Sequence, residues 1–258
     1  MDWKLERKDW ESEFFKKEIL KLTYSGVEYD FEPLFPLLKE NAFDIVEYNL
    51  DIRDIGFSHQ LEKIGFSLVD SRMTFITKIS KDQYPFRELK LNYEIRMFRP
   101  SDQESIKRLT KEFLNNTNTF NSRYSNTYYF EDPESDKKYF TKWIYTSIED
   151  PKSMIAVALM NGEVVGYFIY KESGVYEGHN LYKGILCSVK KEHQGKKLHL
   201  FLQDYIFTQI NSEVFYIDNT TQLSNISVIK NHIRSQRKLD SSFLTFMLKK
   251  SDLRPVNQ

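Results

Sequence analysis

The sequence predicts an α/β protein: a mixed sheet flanked by helices in residues 93–250, preceded by a smaller α/β domain in residues 1–80. Three observations predict it. From Tyr93 onward, β-rich runs alternate with segments whose apolar residues recur at helical spacing. Asn161-Gly162, the preferred pair for a two-residue hairpin turn, separates β-rich runs at 154–160 and 163–170. A strand at 181–189 runs through the lysine-rich turn KKEHQGKK into an apolar helix, an arrangement whose unpaired amides and helix dipole suit a phosphate.

The N-terminal domain holds a helix at 31–41 and a strand at 43–50. Ser58 then caps a short helix that stops at Gly65, as a C-terminal glycine should, and a long strand follows at 66–79. Residues 81–92 are polar, contain Pro85 and have no period, which makes them a linker. After a strand at 93–98, Ser101 as N-cap with Glu104 three residues on forms a capping box for a helix carrying Ile106, Leu109, Phe113 and Leu114. A polar, aromatic-rich loop at 115–134 precedes a helix at 135–148. The helix after the lysine-rich turn places Leu198, Phe201, Leu202, Tyr205, Ile206 and Gln209 at helical spacing. A strand (214–218), a helix (224–235, Ser224 or Asn225 at its cap), a last strand to Lys249 and a tail at 251–258 complete the chain. LVDSRMTFITK, near the end of the first domain, reads like LDSSFLTFMLK, near the end of the second, and each follows a strand and a short helix. This pattern suggests a duplication without establishing one.

Composition narrows the function. The 258 residues carry 37 basic and 37 acidic side chains, so no global field selects nucleic acid or an anionic membrane. With 40% apolar residues, 20 Phe and 16 Tyr, the chain is expected to fold. Cys187 is its only cysteine, which excludes an internal disulfide and a cysteine-rich zinc site, and no histidine spacing suggests another metal. The first residues have no apolar stretch like that of a signal peptide, and the longest apolar run, 154–160, is too short to span a bilayer. A soluble cytoplasmic protein is the expectation. Whether it forms a homodimer stays open.

The element order, the turn and the downstream spacing over residues 93–250 resemble the GNAT superfamily of N-acetyltransferases. In that family the turn reads Val-x-x-x-x-(Gln/Arg)-x-x-Gly-x-(Gly/Ala), and its amides hold the pyrophosphate of coenzyme A. Val189, Gln194 and Gly195 fall where the family expects them, while Lys197 and His199 stand at its two principal glycine positions. The whole chain is similar to sugar N-acetyltransferases of the dTDP-fucosamine acetyltransferase type. That similarity is carried by residues 10–15, LEKIGFSLV at 61–69, Ser122-Arg123-Tyr124, residues 139–144 and residues 225–232. It implies acetyl-CoA as cosubstrate, held by Cys187, Ser188, Val189, Gln194, Gly195, Lys196, Lys197, Leu198, His199 and Asn225. It implies an amine acceptor, with a nucleotide-linked amino sugar the leading class. It also puts His232 at the position of the general acid that protonates the thiolate. Gln236-Arg237 stands where Gly-Phe commonly follows this helix.

Each candidate has a plainer alternative. Lys190, Lys191, Lys196 and Lys197 form a solvated turn or a phosphate site, and Lys230, Arg234, Arg237 and Lys238 are a second basic run on the same side. His193 and His199 contact phosphate or solvent. Cys187 is a buried strand residue before it is a nucleophile. Arg123, Tyr124 and Tyr128, in a segment beginning at Asn121, offer a guanidinium fork and aromatic faces to an acceptor, or staple their loop to the domain. Glu177, chosen for preceding the strand at 181–189, is the candidate base. The alternatives to an enzyme of small amines are a degenerate GNAT-fold binding module without catalysis and an acetyltransferase of peptide or protein amines.

Overall fold

A computed structural model describes residues 2–26, 30–88, 92–116 and 122–255. Asn121, three residues of the linker and the last three of the tail lie outside them. Ten strands form one sheet: β1 (Trp3–Arg7), β2 (Ile19–Tyr24), β3 (Ile45–Asp51), β4 (Ser67–Ser80), β5 (Glu94–Met97), β6 (Ser153–Met160), β7 (Glu163–Tyr176), β8 (His179–Val189), β9 (Val214–Gln222) and β10 (Leu239–Lys249). Their order across the sheet is β1-β2-β3-β10-β4-β9-β8-β7-β6-β5. All neighbours run antiparallel except β2 with β3 and β8 with β9.

The two halves exchange strands. β4 lies between β9 and β10, and β10 lies between β3 and β4. The echoed segments pair with one another, and Arg72 faces Phe243, its counterpart in the echo. Thr74 then faces Thr220 on β9, while its counterpart Thr245 faces Asn49 on β3. A local two-fold through the Arg72–Phe243 pair relates strand, helix and strand in one half to strand, helix and strand in the other.

Alternation along the strands sends apolar side chains to both faces. One face is covered by α2 (Leu34–Glu40), α3 (Ser58–Ile64), α7 (Leu198–Gln209) and α8 (Ile226–Arg234). There Leu34, Leu38, Leu61 and Ile64 meet Val46, Leu50, Phe246 and Leu248, while Leu198, Leu202, Ile206 and Phe207 meet Ala158, Val165, Tyr170 and Ile217. The other face is covered by α1 (Asp9–Phe15), α4 (Gln103–Asn116), α5 (Thr127–Phe130) and α6 (Ser135–Glu149).

The hairpin turn forms as its residues demand, with Asn161 at φ 52° and Gly162 at φ 79°. β7 and β8 run farther than alternation suggested, to a second turn at Glu177-Gly178. The helix start at Ser101 is corrected. A 3-10 turn at Pro100–Asp102 precedes α4, and the Asp102 carboxylate accepts from the Arg99 amide at 2.7 Å and from the Arg96 guanidinium. A carboxylate backed by an arginine outcompetes a serine hydroxyl for that position. The linker is strapped down: Lys81 Nζ donates to the Ile210 carbonyl, and Tyr84 and Arg87 bind Asp204 at 2.9 and 2.8 Å.

Candidate functional site

β8 and β9 pair only through Leu181–Tyr216, Tyr182–Ile217 and Lys183–Asp218. Beyond that point they part into a fork whose arms are 184–189 and 219–222. A Cβ at Gly184 would collide with the Asn219 amide oxygen, so any larger residue there would displace the Asn219 side chain.

The lysine-rich turn closes the open end. The Lys190 amide donates to the Val165 carbonyl at 2.9 Å, and Gln194 Nε2 braces the turn on the Val189 carbonyl at 3.0 Å. Gly195 (φ 77°) and Lys197 (φ 60°) bend the chain through left-handed conformations into α7, which Leu198 anchors in the core. By helix geometry the first amides of α7 lack an intrahelical acceptor, apart from Leu200, whose amide donates to the Lys197 carbonyl at 2.9 Å. Lys196 and Lys197 are exposed beside them. His193 is half-buried on the turn, with the Tyr93 hydroxyl 2.9 Å from its Nδ1.

Inside the fork, on the α7 face, polar side chains gather. Tyr170 Oη lies 3.2 Å from both Gln203 Oε1 and Asn219 Oδ1. Arg237, from the loop after α8, reaches in and donates to Gln203. Among the described residues no carboxylate pairs with Arg237, whereas nearby Asp204 is taken by Arg87. Four buried polar atoms here or on the adjacent strand have no partner: Arg237 Nη1, Asn219 Nδ2, His199 Nε2 and Ser188 Oγ. His199 is held at about 4 by burial, with Arg237 and Arg87 adding to the effect. Val189 packs against the α7 core, and Asn225 caps α8 by accepting from the Val228 amide at 3.4 Å.

His232 lies beside this cluster, buried on α8 with its ring 4.6 Å from that of Phe75. Burial first, then Arg237 and His199, push its pKa down to about 3. Both effects favour the neutral imidazole over the imidazolium that a general acid requires. Burial pushes the Cys187 thiol up to about 12, which favours the neutral thiol over a nucleophilic thiolate.

Glu177, the candidate base, lies at the end of the hairpin away from the lysine-rich turn. It sits at the β7–β8 turn, and the whole of β8 (11 residues, about 35 Å at strand rise) separates it from the lysine-rich turn. Its carboxylate accepts from the Tyr216 hydroxyl.

Arg123 and Tyr124 are corrected too. They lie on the opposite face of the sheet from Arg237, within a buried ionic network. Arg123 Nε binds Glu47 Oε2 at 2.9 Å, Nη2 binds the Tyr124 hydroxyl at 2.8 Å, and Asp70 lies 3.8 Å from Nη1. Lys8 binds Glu47 at 3.1 Å and Glu11 at 2.9 Å. Burial raises the Glu47 pKa, but Arg123, Lys8 and Arg72 outweigh it and hold it at about 2. With its carboxylates in place, Arg123 has no free fork for a diphosphate. Tyr128 lies apart, its hydroxyl 2.7 Å from Asp252 and its ring under Lys249.

The fork thus gathers the turn, His199, Asn219, Gln203 and Arg237, but not Arg123, Tyr124, Tyr128 or Glu177. Gln203 and Asn219 carried no sequence signal beyond being polar in apolar elements. Arg237 was visible only as one member of a basic run. A groove of about 780 Å³ between α4 and α6, lined by Lys111, Lys137, Lys142 and Tyr145, lies on the face opposite the fork. Among the described residues no three His, Cys, Asp or Glu side chains are placed to hold a metal, and no helix is long and apolar enough to cross a membrane.

No protein-family model matches the sequence, and no curated protein matches it. Solved structures do match the fold. A functionally unknown conserved protein from Staphylococcus epidermidis superposes with a TM-score of 0.60 at 11% identity, covering 90% of this chain and 84% of its own. A GCN5-related N-acetyltransferase from Sphaerobacter thermophilus gives 0.58 at 13% identity, over 99% and 78%. A tandem GNAT protein from the clavulanic acid biosynthesis pathway gives 0.56 at 10% identity, over 93% and 76%. The fold is that of the GCN5-related N-acetyltransferases.

Proposed function

We propose that this chain is an acyl-CoA-dependent N-acyltransferase that binds acetyl-CoA in the β8–β9 fork. One observation carries the reading: two parallel strands part to expose unpaired edges, and a helix N-terminus behind a basic turn closes the gap between them. The pantetheine arm would lie between the arms as an added strand, bonded to their free backbone groups. The diphosphate would meet the turn amides and the α7 dipole. A free amine would then attack the thioester carbonyl. A C–N bond forms, the C–S bond breaks, and the proton released from nitrogen ends on the departing sulfur.

The acceptor is a small-molecule amine, and nucleotide-linked amino sugars are the class to test first. With Arg123 bound to Glu47, that choice rests on the segment resemblances alone. The reading implies a cytoplasmic setting, where coenzyme A esters are available. It also treats residues 1–80 as a reduced second copy of the fold, joined by 81–92 to the acetyltransferase half at 93–250; the two-fold at Arg72 and Phe243 supports this.

A specific observation favours a second reading. Arg237 occupies the fork and Lys197 stands where the turn would suit glycine, as expected of a GNAT-fold binding module without catalysis. Calorimetric titration with acetyl-CoA and desulfo-coenzyme A separates the two, followed by thiol release in the presence of an amine panel. Micromolar binding, about −8 kcal/mol, with release of coenzyme A on adding an amine is expected. Binding without release would select a module that keeps the coenzyme, and no binding at millimolar ligand would remove the enzyme reading and leave a module for another ligand or partner.

A further inference from the structure

We propose that Arg237, with His199, is an oxyanion receptor that takes the diphosphate of the donor and that, without ligand, plugs the slot meant for the donor's arm. The proposal rests on the acyl-CoA reading and extends it to side chains that no backbone turn explains.

The charge arrangement is the first argument. Arg237 is partly buried and next to two imidazoles, and among the described residues it has no carboxylate partner. Nature rarely leaves a guanidinium in the interior without a counter-charge, because desolvation is costly unless an anion repays it. The second argument is satisfaction. Arg237 Nη1, His199 Nε2 and Asn219 Nδ2 all lack a hydrogen-bond partner, and Asn219 is only 6% exposed. A guanidinium and an amide N–H without acceptors, with an imidazole that donates in its Nε2–H tautomer, call for an acceptor-rich ligand, and a phosphate supplies three oxygens. Geometry is the third. Arg237 touches Gln203, which lies four residues along α7 from His199, a rise of about 6 Å. A rotation of the long arginine side chain through that distance would bring its fork to His199 and the turn. The loop that carries Arg237 is built for presentation, with Gln236 at φ 55° and the Arg237 amide tied to the His232 carbonyl at 3.0 Å.

The arrangement also answers the missing glycines. Where Lys197 and His199 keep the backbone from approaching phosphate as closely as glycine would, a guanidinium and an imidazole can reach it instead.

Three probes test this on the intact chain by calorimetry: coenzyme A, pantetheine (the same arm without phosphates) and inorganic pyrophosphate. Arg237→Gln should weaken coenzyme A and pyrophosphate by roughly tenfold to a hundredfold. Pantetheine should bind as well as before or more tightly, since the slot is cleared. Equal weakening of all three would mean a structural role and overturn the proposal, as would unchanged binding of coenzyme A and pyrophosphate. A wild-type chain that binds pyrophosphate but not coenzyme A would keep the Arg237 site and remove the acyl-CoA reading. A variant that binds both normally would do the reverse. Should Arg237→Gln fail to fold, Gln203→Glu gives the plug a permanent counter-ion. It should weaken coenzyme A by about tenfold without lowering the melting temperature; undiminished affinity would overturn the proposal.

Discussion

Glu47 and Arg237 are both interior charges, and the difference between them separates structure from function. Glu47 is only 3% exposed, yet it is ringed by Arg123, Lys8 and Arg72, so its carboxylate stays ionised. Its pKa falls from 4.5 to about 2 on folding, which corresponds to roughly 3 kcal/mol of stability. Because the folded value is the lower one, that contribution is complete above about pH 4.5 and is lost as pH falls toward 2. Arg123→Ala should destabilise the chain by about 3–5 kcal/mol in urea at pH 7, since it leaves Glu47 buried without its main partner. Over pH 5 to 2, the stability difference between the wild type and Glu47→Gln should shrink by about 3 kcal/mol. A difference that stays flat would show that the network does not hold the carboxylate ionised. Arg237, with no such ring, is the cation left for a ligand.

At the scale of elements, the turn before α7 carries the tension between shape and chemistry. Lys197 adopts the left-handed conformation at φ 60°, which costs a side-chain-bearing residue about 1–2 kcal/mol. Lys197→Gly removes that strain but adds about 0.4–1 kcal/mol of unfolded-state entropy, so stability should rise by no more than about 1 kcal/mol. Acetyl-CoA should bind as well or more tightly, because the backbone can come nearer to phosphate. A weaker complex would show that the Lys197 ammonium, and not the amides, supplies the contact. The fork has the same character. At its crotch Gly184 gives room to the Asn219 side chain, which any larger residue would displace.

The strand exchange sets the behaviour of the whole molecule. β4 is the neighbour of both β9 and β10, so the last strands of the C-terminal half have no shared partner without the N-terminal half. Removing residues 1–80 would expose those edges and strip the apolar residues of β4, such as Phe75 and Ile79, from the core. The fragment 81–258 should therefore lack near-ultraviolet circular dichroism and a cooperative thermal transition, while the full chain unfolds in one step by both near- and far-ultraviolet signals. A fragment with native-like dispersion would show that the C-terminal half holds a core of its own. The arm that forms the site and the strand that braces it come from different halves, so donor binding should stabilise both together.

Much of this architecture is local and so could be read from the chain. Periodicity located most strands and helices, Asn161-Gly162 located a hairpin, Gly65 ended α3, and the lysine-rich segment stood between strand and helix. Each of these depends on residues a few positions apart, whose backbone preferences act before any tertiary contact forms. What the tertiary structure alone decided is long-range. Arg123 meets Glu47 across 76 positions, and Arg237 meets Gln203 across 34. The length of β8 set Glu177 and the lysine-rich turn at opposite ends of that strand, and burial beside Arg237 biased His232 toward its neutral form. The exchange of β4 and β10 was audible in the echo of their sequences, but strand neighbours are chosen by the packing of whole faces and not by the strands themselves. A sequence names the groups that can carry charge; only the fold decides which of them meet a counter-charge and which are left to meet a ligand.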